Sequence, residues 1–289
     1  MGRGAGAPPF CVKTMARLFD YTHAILRRPG ASVVKGLRAG GGADPAFAAV
    51  LAEHAGYAAA LAAAGLKLTM LDPLDAYPDA IFVEDPALVF PEAAILLNPG
   101  APSRAGETAL LGPVLEQQFA QVLTLPQGHA DGGDVLVMPD QVFIGLSART
   151  DRAGAEALSI LLAAIGCRAT IVETPDQVLH LKTASSLIDE ETVLATAPLA
   201  ASGIFAGYRV IVVPAGEEAG ANVLRLGDHL LLGAGYPKLA EALDASGAWL
   251  VPLANAAIVA IDAGFTCMSL RWRSLVLPAT NHARSSEAV

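Results

Sequence analysis

Cys267 is the residue of this chain best suited to nucleophilic chemistry. It lies near the end of the chain in the segment Asp262-Ala-Gly-Phe-Thr-Cys267-Met-Ser-Leu-Arg271, after an apolar run at 257–261. A thiolate is a strong nucleophile, yet an isolated cysteine is more often a buried apolar side chain than a catalytic one. A catalytic role for Cys267 therefore depends on acid–base groups that the fold brings to it.

Side chains that could act as acids or bases lie where several apolar segments begin. They are Asp79, Glu84 and Asp85 before the first segment, Asp131 and Asp134 before the second, and His180 before the third. Each has a structural alternative as well. Acids before Gly or Pro commonly cap turns, the Gly132-Gly133 pair can supply unusual backbone angles, and a histidine between two leucines is typical of a core. Five units that each offer a polar residue at the same end would build a central site.

Taken together, these residues favour a cationic substrate. Several carboxylates around a thiol repel an anionic substrate and raise the pKa of the thiol. A guanidinium group is planar and permanently charged, it pairs bidentately with carboxylates, and its approach would stabilise a thiolate. His129 and Asp131 could ligate a metal, but two further ligands at suitable spacing are missing, so no metal site is predicted.

The elements that must position these residues form an internal repeat. Four segments, at 85–98, 134–145, 185–195 and 222–233, each read as a short apolar strand, a two-residue turn and a second apolar strand. Helical stretches are predicted at 106–119, 152–165 and 237–246, and a helix at 45–64 precedes the first repeat. A weaker fifth unit would pair a strand at 21–26 with one at 264–270. This pattern predicts stacked or radial units that share a core, closed by strands from both ends of the chain.

Composition narrows the class of protein. The 289 residues are 53% hydrophobic and 16% charged, as expected for a globular chain, and the net charge of −9 argues against nucleic acid as a partner. No uninterrupted apolar run is long enough to span a membrane. Three widely spaced cysteines suit neither a disulfide framework nor a zinc site, and a cytoplasmic location is expected. We predict one domain at 15–273, between a loose extension at 1–14 and a tail at 274–289.

The chain resembles the dimethylarginine dimethylaminohydrolases, members of the pentein, or guanidino-group-modifying, superfamily. The resemblance spans about 21–272. It rests on Phe-Val-Glu-Asp-Pro at 82–86, Asp-Gly-Gly-Asp-Val at 131–135, Leu-His-Leu-Lys at 179–182 and Cys-Met-Ser-Leu-Arg at 267–271, with further matches at 103–107 and 145–150. It implies an α/β fold, a five-bladed α/β propeller of ββαβ units around a central active site.

The resemblance also implies a role for each matching position. Cys267 would be the nucleophile, His180 the general acid and base, and Asp131 the acid that orients the histidine. The remaining matches would bind substrate: Glu84 and Asp85 the guanidinium, Arg104 and Arg149 the α-carboxylate, with Asp79, Leu37, the backbone of Ile261 and Asp262 as further pocket, lid and nucleophile-flanking positions.

The implied reaction is hydrolysis of an N-methylated arginine, a small-molecule substrate, to L-citrulline and dimethylamine or methylamine. It would pass through a covalent S-alkylthiouronium on Cys267 and need no cofactor and no metal. An arginine deiminase acting on free arginine is the nearest alternative, and an amidinotransferase is less consistent with the chain length. A non-catalytic propeller that binds a partner is the alternative from another class. The sequence leaves monomer and homodimer open.

Overall fold

The computed structural model describes residues 18–38 and 41–274, and within them the chain forms five three-stranded sheets. Each sheet is called a blade, and its strands are given in the order first, second, third. Blade 1 is β3 (Ala87–Val89), β4 (Ala93–Leu96) and β5 (Gln121–Thr124), blade 2 is β6 (Val135–Val137), β7 (Val142–Leu146) and β8 (Ala169–Glu173), and blade 3 is β9 (Ser185–Leu187), β10 (Thr192–Ala195) and β11 (Arg209–Val212). Blade 4 is β12 (Leu224–Leu226), β13 (His229–Gly233) and β14 (Trp249–Leu253), and blade 5 is β15 (Leu270–Trp272), β1 (His23–Arg27) and β2 (Lys67–Leu71). The predicted five-bladed α/β architecture is confirmed.

Each blade repeats one connection. The first strand pairs antiparallel with the second, and the second pairs parallel with the third after a helical crossover. The crossover helices are α1 (Phe47–Ala63) in blade 5, α2 (Glu107–Glu116) in blade 1, α3 (Arg152–Ala164) in blade 2, α4 (Ala197–Ala201) in blade 3 and α5 (Pro237–Asp244) in blade 4. A sixth helix, α6 (Ala256–Val259), follows β14. Parallel neighbours require such a crossover, so each blade is a ββαβ unit.

Strands from both ends of the chain close the fifth blade. His23 in β1 lies opposite Trp272 in β15, and Ile25 lies opposite Leu270, in an antiparallel register. The backbone N–H of Ser274 also donates to Thr22 Oγ1 at 2.8 Å. The predicted pairing of the two termini is therefore confirmed. The predicted extension at 1–14 lies outside the described residues, as does the predicted tail beyond residue 274. The boundaries of the single domain, 15–273, stay a prediction.

Two details of the predicted strands differ from the structure. The last strand begins at Leu270 rather than at position 264, so the segment that carries Cys267 is a turn before the strand. The third strand of every blade was also missed. Its residues are half-buried or exposed, as in β5 and β11, whereas a middle strand such as β10 is buried throughout. The apolar runs of middle strands are a much stronger signal than short, half-exposed ones.

The helices pack their apolar residues against these sheets. In α1, Val50, Tyr57 and Leu61 are almost completely buried, while Leu51 on the neighbouring face is 39% exposed. Leu51 therefore lies outside the buried stripe of this helix. None of the helices in the described ranges combines the length and the apolar character needed to cross a membrane.

Candidate active site

The polar residues of the predicted set lie in the turns that lead into the first strands. Glu84 and Asp85 precede β3, Asp131 lies before β6, His180 before β9, and Cys267 before β15. Short 3₁₀ turns, at Gly132–Asp134 and Leu181–Thr183, join two of these residues to their strands. Because the first strands of all five blades begin at the same end of the repeat, residues far apart in sequence meet there.

Side chains at equivalent positions hold neighbouring blades together. In each case an oxygen that precedes a first strand accepts a backbone N–H from the next blade. The bonds are Asp85 Oδ1 from Gly133 N at 3.0 Å, Asp134 Oδ1 from Leu181 N at 3.0 Å, and Asn222 Oδ1 from Thr266 N at 2.9 Å. These side chains are buried, so each bond satisfies groups that would otherwise be costly to bury. The second repeat begins Asp134-Val-Leu and the fourth Asn222-Val-Leu, and this likeness thus has a structural cause.

His180 and Asp131 form a buried pair. The Nε2 atom of His180 lies 3.0 Å from Asp131 Oδ2, and Asp131 Oδ1 accepts the backbone N–H of Gly100 at 2.8 Å. The backbone N–H of Asp131 donates to Thr150 Oγ1 at 3.1 Å. Both carboxylate oxygens of Asp131 are therefore committed, and the imidazole is held in one orientation. This is the arrangement expected of an acid that orients a general acid–base histidine.

The environment of His180 favours its protonated form. Burial lowers the pKa of His180, but the charge of Asp134, the hydrogen bond to Asp131 and the charge of Asp85 outweigh burial and raise the pKa to about 9. At neutral pH the imidazole is therefore a cation. A proton-bearing histidine can donate a proton to a leaving amine.

The pKa of Cys267 is raised as well, which disfavours the nucleophilic thiolate form. Its side chain is buried, and burial together with the charges of Glu84 and Asp85 raises the pKa of the thiol to about 12. Cys267 is the free cysteine of the described chain. Cys167 is disulfide-bonded, which differs from the expectation that the cysteine spacing suits no disulfide. The predicted effect of the surrounding carboxylates on the thiol is confirmed, and Cys267 is a neutral thiol at neutral pH.

Glu84 lies at the centre of a buried charge cluster. Its Oε1 is 2.7 Å from Lys182 Nζ and 3.4 Å from Arg271 Nη2, and its Oε2 accepts the hydroxyl of Thr266 at 2.9 Å. The backbone N–H of Glu84 donates to the carbonyl of Cys267 at 3.2 Å. An ionised carboxylate can accept about four hydrogen bonds, so Glu84 is largely engaged by resident cations.

Asp85 is paired with Arg104. Burial raises the pKa of Asp85, but the Arg104 guanidinium outweighs burial and holds it below its usual range. Arg104 is itself buried, and Glu107 accepts its Nε and Nη2 hydrogens at 3.0 and 2.6 Å. Its other bonds go to the Asp85 carboxylate and to the carbonyls of Asp79 and Phe82. The structure therefore places Arg104 behind Asp85, with most of its donors used.

Asp79 connects this centre to the segment after β1. Its Oδ1 accepts the backbone N–H of Leu37 at 2.9 Å, and the Leu37 side chain is 39% exposed. Burial raises the pKa of Asp79, while the positive charges of Arg104 and Arg149 oppose that shift. Arg149 is half-buried, and within the described residues its guanidinium has no hydrogen-bond or ion-pair partner. Arg149 is thus a cation left available beside Asp79.

Ile261 and Asp262 lie between α6 and the turn that carries Cys267. Ile261 is buried and donates its N–H to the carbonyl of Ile258 at 3.1 Å. Asp262 has a φ of 57°, the left-handed region that aspartate adopts more readily than most residues. This turn directs the chain from the end of α6 toward Cys267.

Asp85, Asp131 and His180 could in principle hold a metal ion, because their ligand atoms lie within 4.8 Å of one another. Each is already engaged: Asp85 pairs with Arg104, and Asp131 binds Gly100 and His180. A metal would have to displace these bonds and the proton that the histidine carries. The donor set fits a charge-balanced acid–base site better than a metal centre.

Two residues of the site were missed in the sequence. Lys182 follows His180 in the Leu-His-Leu-Lys motif and pairs with Glu84, and a lysine among so many acids was a usable signal. Asn222 lies 3.7 Å from Cys267 Sγ through its Nδ2 atom. The sequence could have pointed to Asn222 through its position in the repeat, which is equivalent to the positions of Asp85 and Asp134.

Comparison with known proteins assigns this arrangement to a family. Residues 53–219 match the family model described as arginine deiminase. The chain is 31% identical over 255 residues to the N(G),N(G)-dimethylarginine dimethylaminohydrolase of Pseudomonas aeruginosa, covering 87% of this chain and 100% of that protein. It is 33% identical over 256 residues to the enzyme of the same name from Streptomyces coelicolor, covering 87% and 97%.

A solved structure agrees with these matches. The Pseudomonas aeruginosa enzyme, crystallised as a cysteine-to-serine variant complexed with citrulline, superposes with a TM-score of 0.85 at 31% identity and covers 88% of this chain and 100% of that one. The sequence relationship extends over nearly the whole of both proteins, and the fold is the same. This chain belongs to the dimethylarginine dimethylaminohydrolase family, within the pentein superfamily.

Proposed function

We propose that this protein hydrolyses N-methylated arginines to L-citrulline, releasing dimethylamine or methylamine. The observation that carries the proposal is the convergence of a free thiol, a protonated histidine and buried carboxylates at the centre of a five-bladed fold. Membership of the family adds weight, because its Pseudomonas aeruginosa member was solved with citrulline bound.

The charges around Cys267 explain why the substrate must be a cation. With a pKa of about 12, the thiol stays protonated at neutral pH while Glu84 and Asp85 lie nearby as anions. A guanidinium bound against these carboxylates would lower the thiol pKa by placing a positive charge beside the sulfur. The nucleophile would then form only when substrate is present, and an uncharged amide would not activate it.

The chemistry follows from the two titrating groups. Once the guanidinium is bound, the Cys267 thiol loses its proton to solvent, because His180 is already protonated. The thiolate then attacks the guanidinium carbon, and a C–S bond forms as the C=N π bond opens, giving a tetrahedral adduct. His180 donates its proton to the departing nitrogen as the C–N bond breaks, leaving an S-alkylthiouronium. His180, now neutral, removes a proton from water as the water attacks the same carbon, and the C–S bond then breaks to release citrulline. Asp131 keeps the imidazole oriented through both steps.

The remaining residues would hold the amino-acid part of the substrate. Arg149 is the better candidate for the α-carboxylate, since its guanidinium is uncommitted, whereas Arg104 mainly braces Asp85. Asp79 and the nearby Leu37 would face the α-amino group, and Ile261 and Asp262 would line the approach to Cys267. Asp85 has two hydrogen-bond sites in use, fewer than Glu84, and would take the guanidinium first.

Free arginine is the competing substrate, because the matching family model is that of arginine deiminase. Both activities would use the same cysteine and histidine. We also propose a cytoplasmic protein that acts as a monomer or homodimer, without nucleic acid or membrane as a partner. The net charge of −9 supports the exclusion of nucleic acid.

The test offers asymmetric dimethylarginine, monomethylarginine and arginine separately and measures citrulline. We expect turnover of the methylated substrates and its loss in Cys267→Ala and His180→Ala. Turnover of arginine alone would establish the deiminase alternative. No citrulline from any of the three, with Cys267 labelled by cationic chloroacetamidine no faster than by neutral iodoacetamide, would favour the non-catalytic propeller.

A further inference from the structure

A buried amide lies against the nucleophile. We propose that Asn222 positions Cys267 and donates a hydrogen bond to its sulfur as the thiolate forms. This inference rests on the proposed role of Cys267 as the nucleophile. Asn222 is 5% exposed, and its Nδ2 lies 3.7 Å from Cys267 Sγ, within reach of an N–H···S hydrogen bond.

The orientation of the amide is fixed by its other partners. Asn222 Oδ1 accepts the backbone N–H of Thr266 at 2.9 Å. Nδ2 has two hydrogens for three acceptors, the carbonyl of Lys182 at 3.0 Å, Thr266 Oγ1 at 3.1 Å and Cys267 Sγ at 3.7 Å, so the bond to the sulfur shares a hydrogen with one of the two oxygens. A flipped amide would set NH₂ against an N–H and oxygen against a carbonyl, so two bonds would be lost. The donor end of Asn222 must therefore face the sulfur.

The repeat supplies an internal comparison. Asp85 and Asp134 occupy the equivalent position in blades 1 and 2, and each accepts a backbone N–H from the next blade through Oδ1. An aspartate at 222 could make the same bond to Thr266 equally well. What a carboxylate cannot do is donate, and it would add a negative charge beside the thiolate. An amide, rather than a carboxylate, is therefore needed at position 222 to donate hydrogen bonds to the acceptors that face Nδ2.

The backbone makes room for this contact at Gly264. A Cβ on Gly264 would lie 2.4 Å from the Cβ and Cγ atoms of Asn222, so a side chain there would push the amide away. A backbone hydrogen bond from Gly264 also lowers the pKa of the Cys267 thiol. The close approach of Gly264 thus holds the Asn222 amide beside the sulfur.

The decisive variant is Asn222→Asp, which keeps the shape and the acceptor but removes the donor. Well below its pKa a thiol is alkylated at a rate proportional to its thiolate fraction. We expect iodoacetamide to modify the Cys267 peptide about ten- to a hundredfold more slowly at pH 8, the range for loss of a hydrogen bond to a charged group. Methylarginine turnover should fall chiefly in kcat, because Asn222 does not face the substrate's amino-acid end.

The matched control is Ser186→Ala. Ser186 Oγ accepts the N–H of Val223 at 3.0 Å and donates to the carbonyl of Ala221 at 2.9 Å, so it pins the residues on both sides of Asn222 without touching Cys267. We expect a lower Tm and near wild-type alkylation. If alkylation of Cys267 is slowed equally in Ser186→Ala and Asn222→Asp, the cause is a general loss of order around residues 221–223, and the proposal would be overturned.

A second variant allows the same test if Asn222→Asp does not fold. Asn222→Ser keeps a hydroxyl on the same segment but is too short to reach the sulfur, and it should slow alkylation in the same way. A wild-type alkylation rate in a folded Asn222→Asp or Asn222→Ser protein would overturn the assignment. Alkylation needs no methylarginine, so slowed alkylation with no turnover of any arginine would refute the proposed function and leave the role of Asn222 intact.

Discussion

Asp131→Asn tests how the histidine obtains its proton. Asp131 presents acceptor oxygens to two donors, Gly100 N at 2.8 Å and His180 Nε2 at 3.0 Å. An asparagine has one acceptor oxygen, so one of these donors would face an NH₂ group. If that donor is His180, the imidazole must lose its Nε2 proton or turn away. The substitution also removes one of the charges that raise the pKa of His180.

The magnitude follows from the size of the shift. Raising the pKa of His180 from 6.5 to about 9 means that the folded protein favours the imidazolium by about 3 kcal/mol. Burial opposes the shift, and Asp134, Asp131 and Asp85 share the favourable part. Loss of one of these three acids should lower the pKa by about one unit. At pH 8 the protonated fraction of His180 would then fall from about nine-tenths to about one half.

The sign of the effect on stability is set by the same shift. A histidine whose folded pKa is raised stabilises the fold fully below pH 6.5, and that contribution is lost as the pH rises through about 9. In Asp131→Asn the contribution should be smaller, and its loss should be complete at a lower pH. The unfolding free energy, measured in urea at several pH values, should therefore differ most between the two proteins on the acid side of pH 8.

The assay is an NMR titration of labelled histidine, with the His180 resonance assigned by its absence in His180→Gln. Alongside it, citrulline production at pH 8 should fall about ten- to a hundredfold, since a misplaced base loses much of the effect of general acid–base catalysis. Asp131→Glu should restore both quantities in large part. Asp151→Asn is the control, because Asp151 caps α3 through Gly154 N at 2.7 Å and does not touch His180. An unchanged His180 pKa in Asp131→Asn would refute the reasoning.

Three further substitutions test the charges and the space around the site. Glu84→Gln should lower the pKa of the Cys267 thiol, which the Glu84 charge helps to raise, so iodoacetamide alkylation should become faster while methylarginine turnover falls. Arg149→Ala should raise the KM for dimethylarginine about ten- to a hundredfold with a smaller effect on kcat, as expected for loss of one charged hydrogen bond to substrate. Gly133→Ala should abolish turnover and lower the Tm, because its Cβ would lie 2.7 Å from His180 Nδ1.

Each of these has a matched control in the chain. Glu173→Gln and Arg152→Ala remove the charges of an exposed ion pair of 2.8 Å, and Gly235→Ala adds a Cβ with no atom within 4 Å. All three should behave as wild type. Slower alkylation in Glu84→Gln, an unchanged KM in Arg149→Ala, or full turnover in Gly133→Ala would each contradict the geometry described.

Much of the fold was predictable because its strongest elements repeat. The middle strands β10 and β13 begin and end where their apolar runs do, and α3 begins at Arg152 as expected. The third strands were missed because they lie at the outer edge of each blade, where residues such as Trp249 stay 70% exposed and strands such as β5 and β8 end in polar residues. A strand that is stabilised by pairing along one edge leaves little trace in the hydrophobic pattern.

The candidate site divides in a similar way. Residues of types that commonly act in catalysis, such as Cys267 and His180, were found from the sequence. The pairing of Arg104 with Asp85 and Glu107 was not, because no sequence pattern tells whether an arginine meets a substrate or a neighbouring carboxylate. Asn222 was passed over for a related reason. A neutral amide carries no charge signal, and its meaning depends on the sulfur that lies 3.7 Å away.

The resting charges of the site lead to one conclusion about its design. Cys267 keeps its proton, with a pKa of about 12, and His180 is already protonated, with a pKa of about 9. The histidine therefore cannot be the base that removes the thiol proton at neutral pH. We infer that the bound substrate cation activates the thiol, aided by the amide of Asn222. The same carboxylates that suppress the thiolate in the empty site attract the guanidinium that creates it, so nucleophile formation is tied to binding of the correct charge.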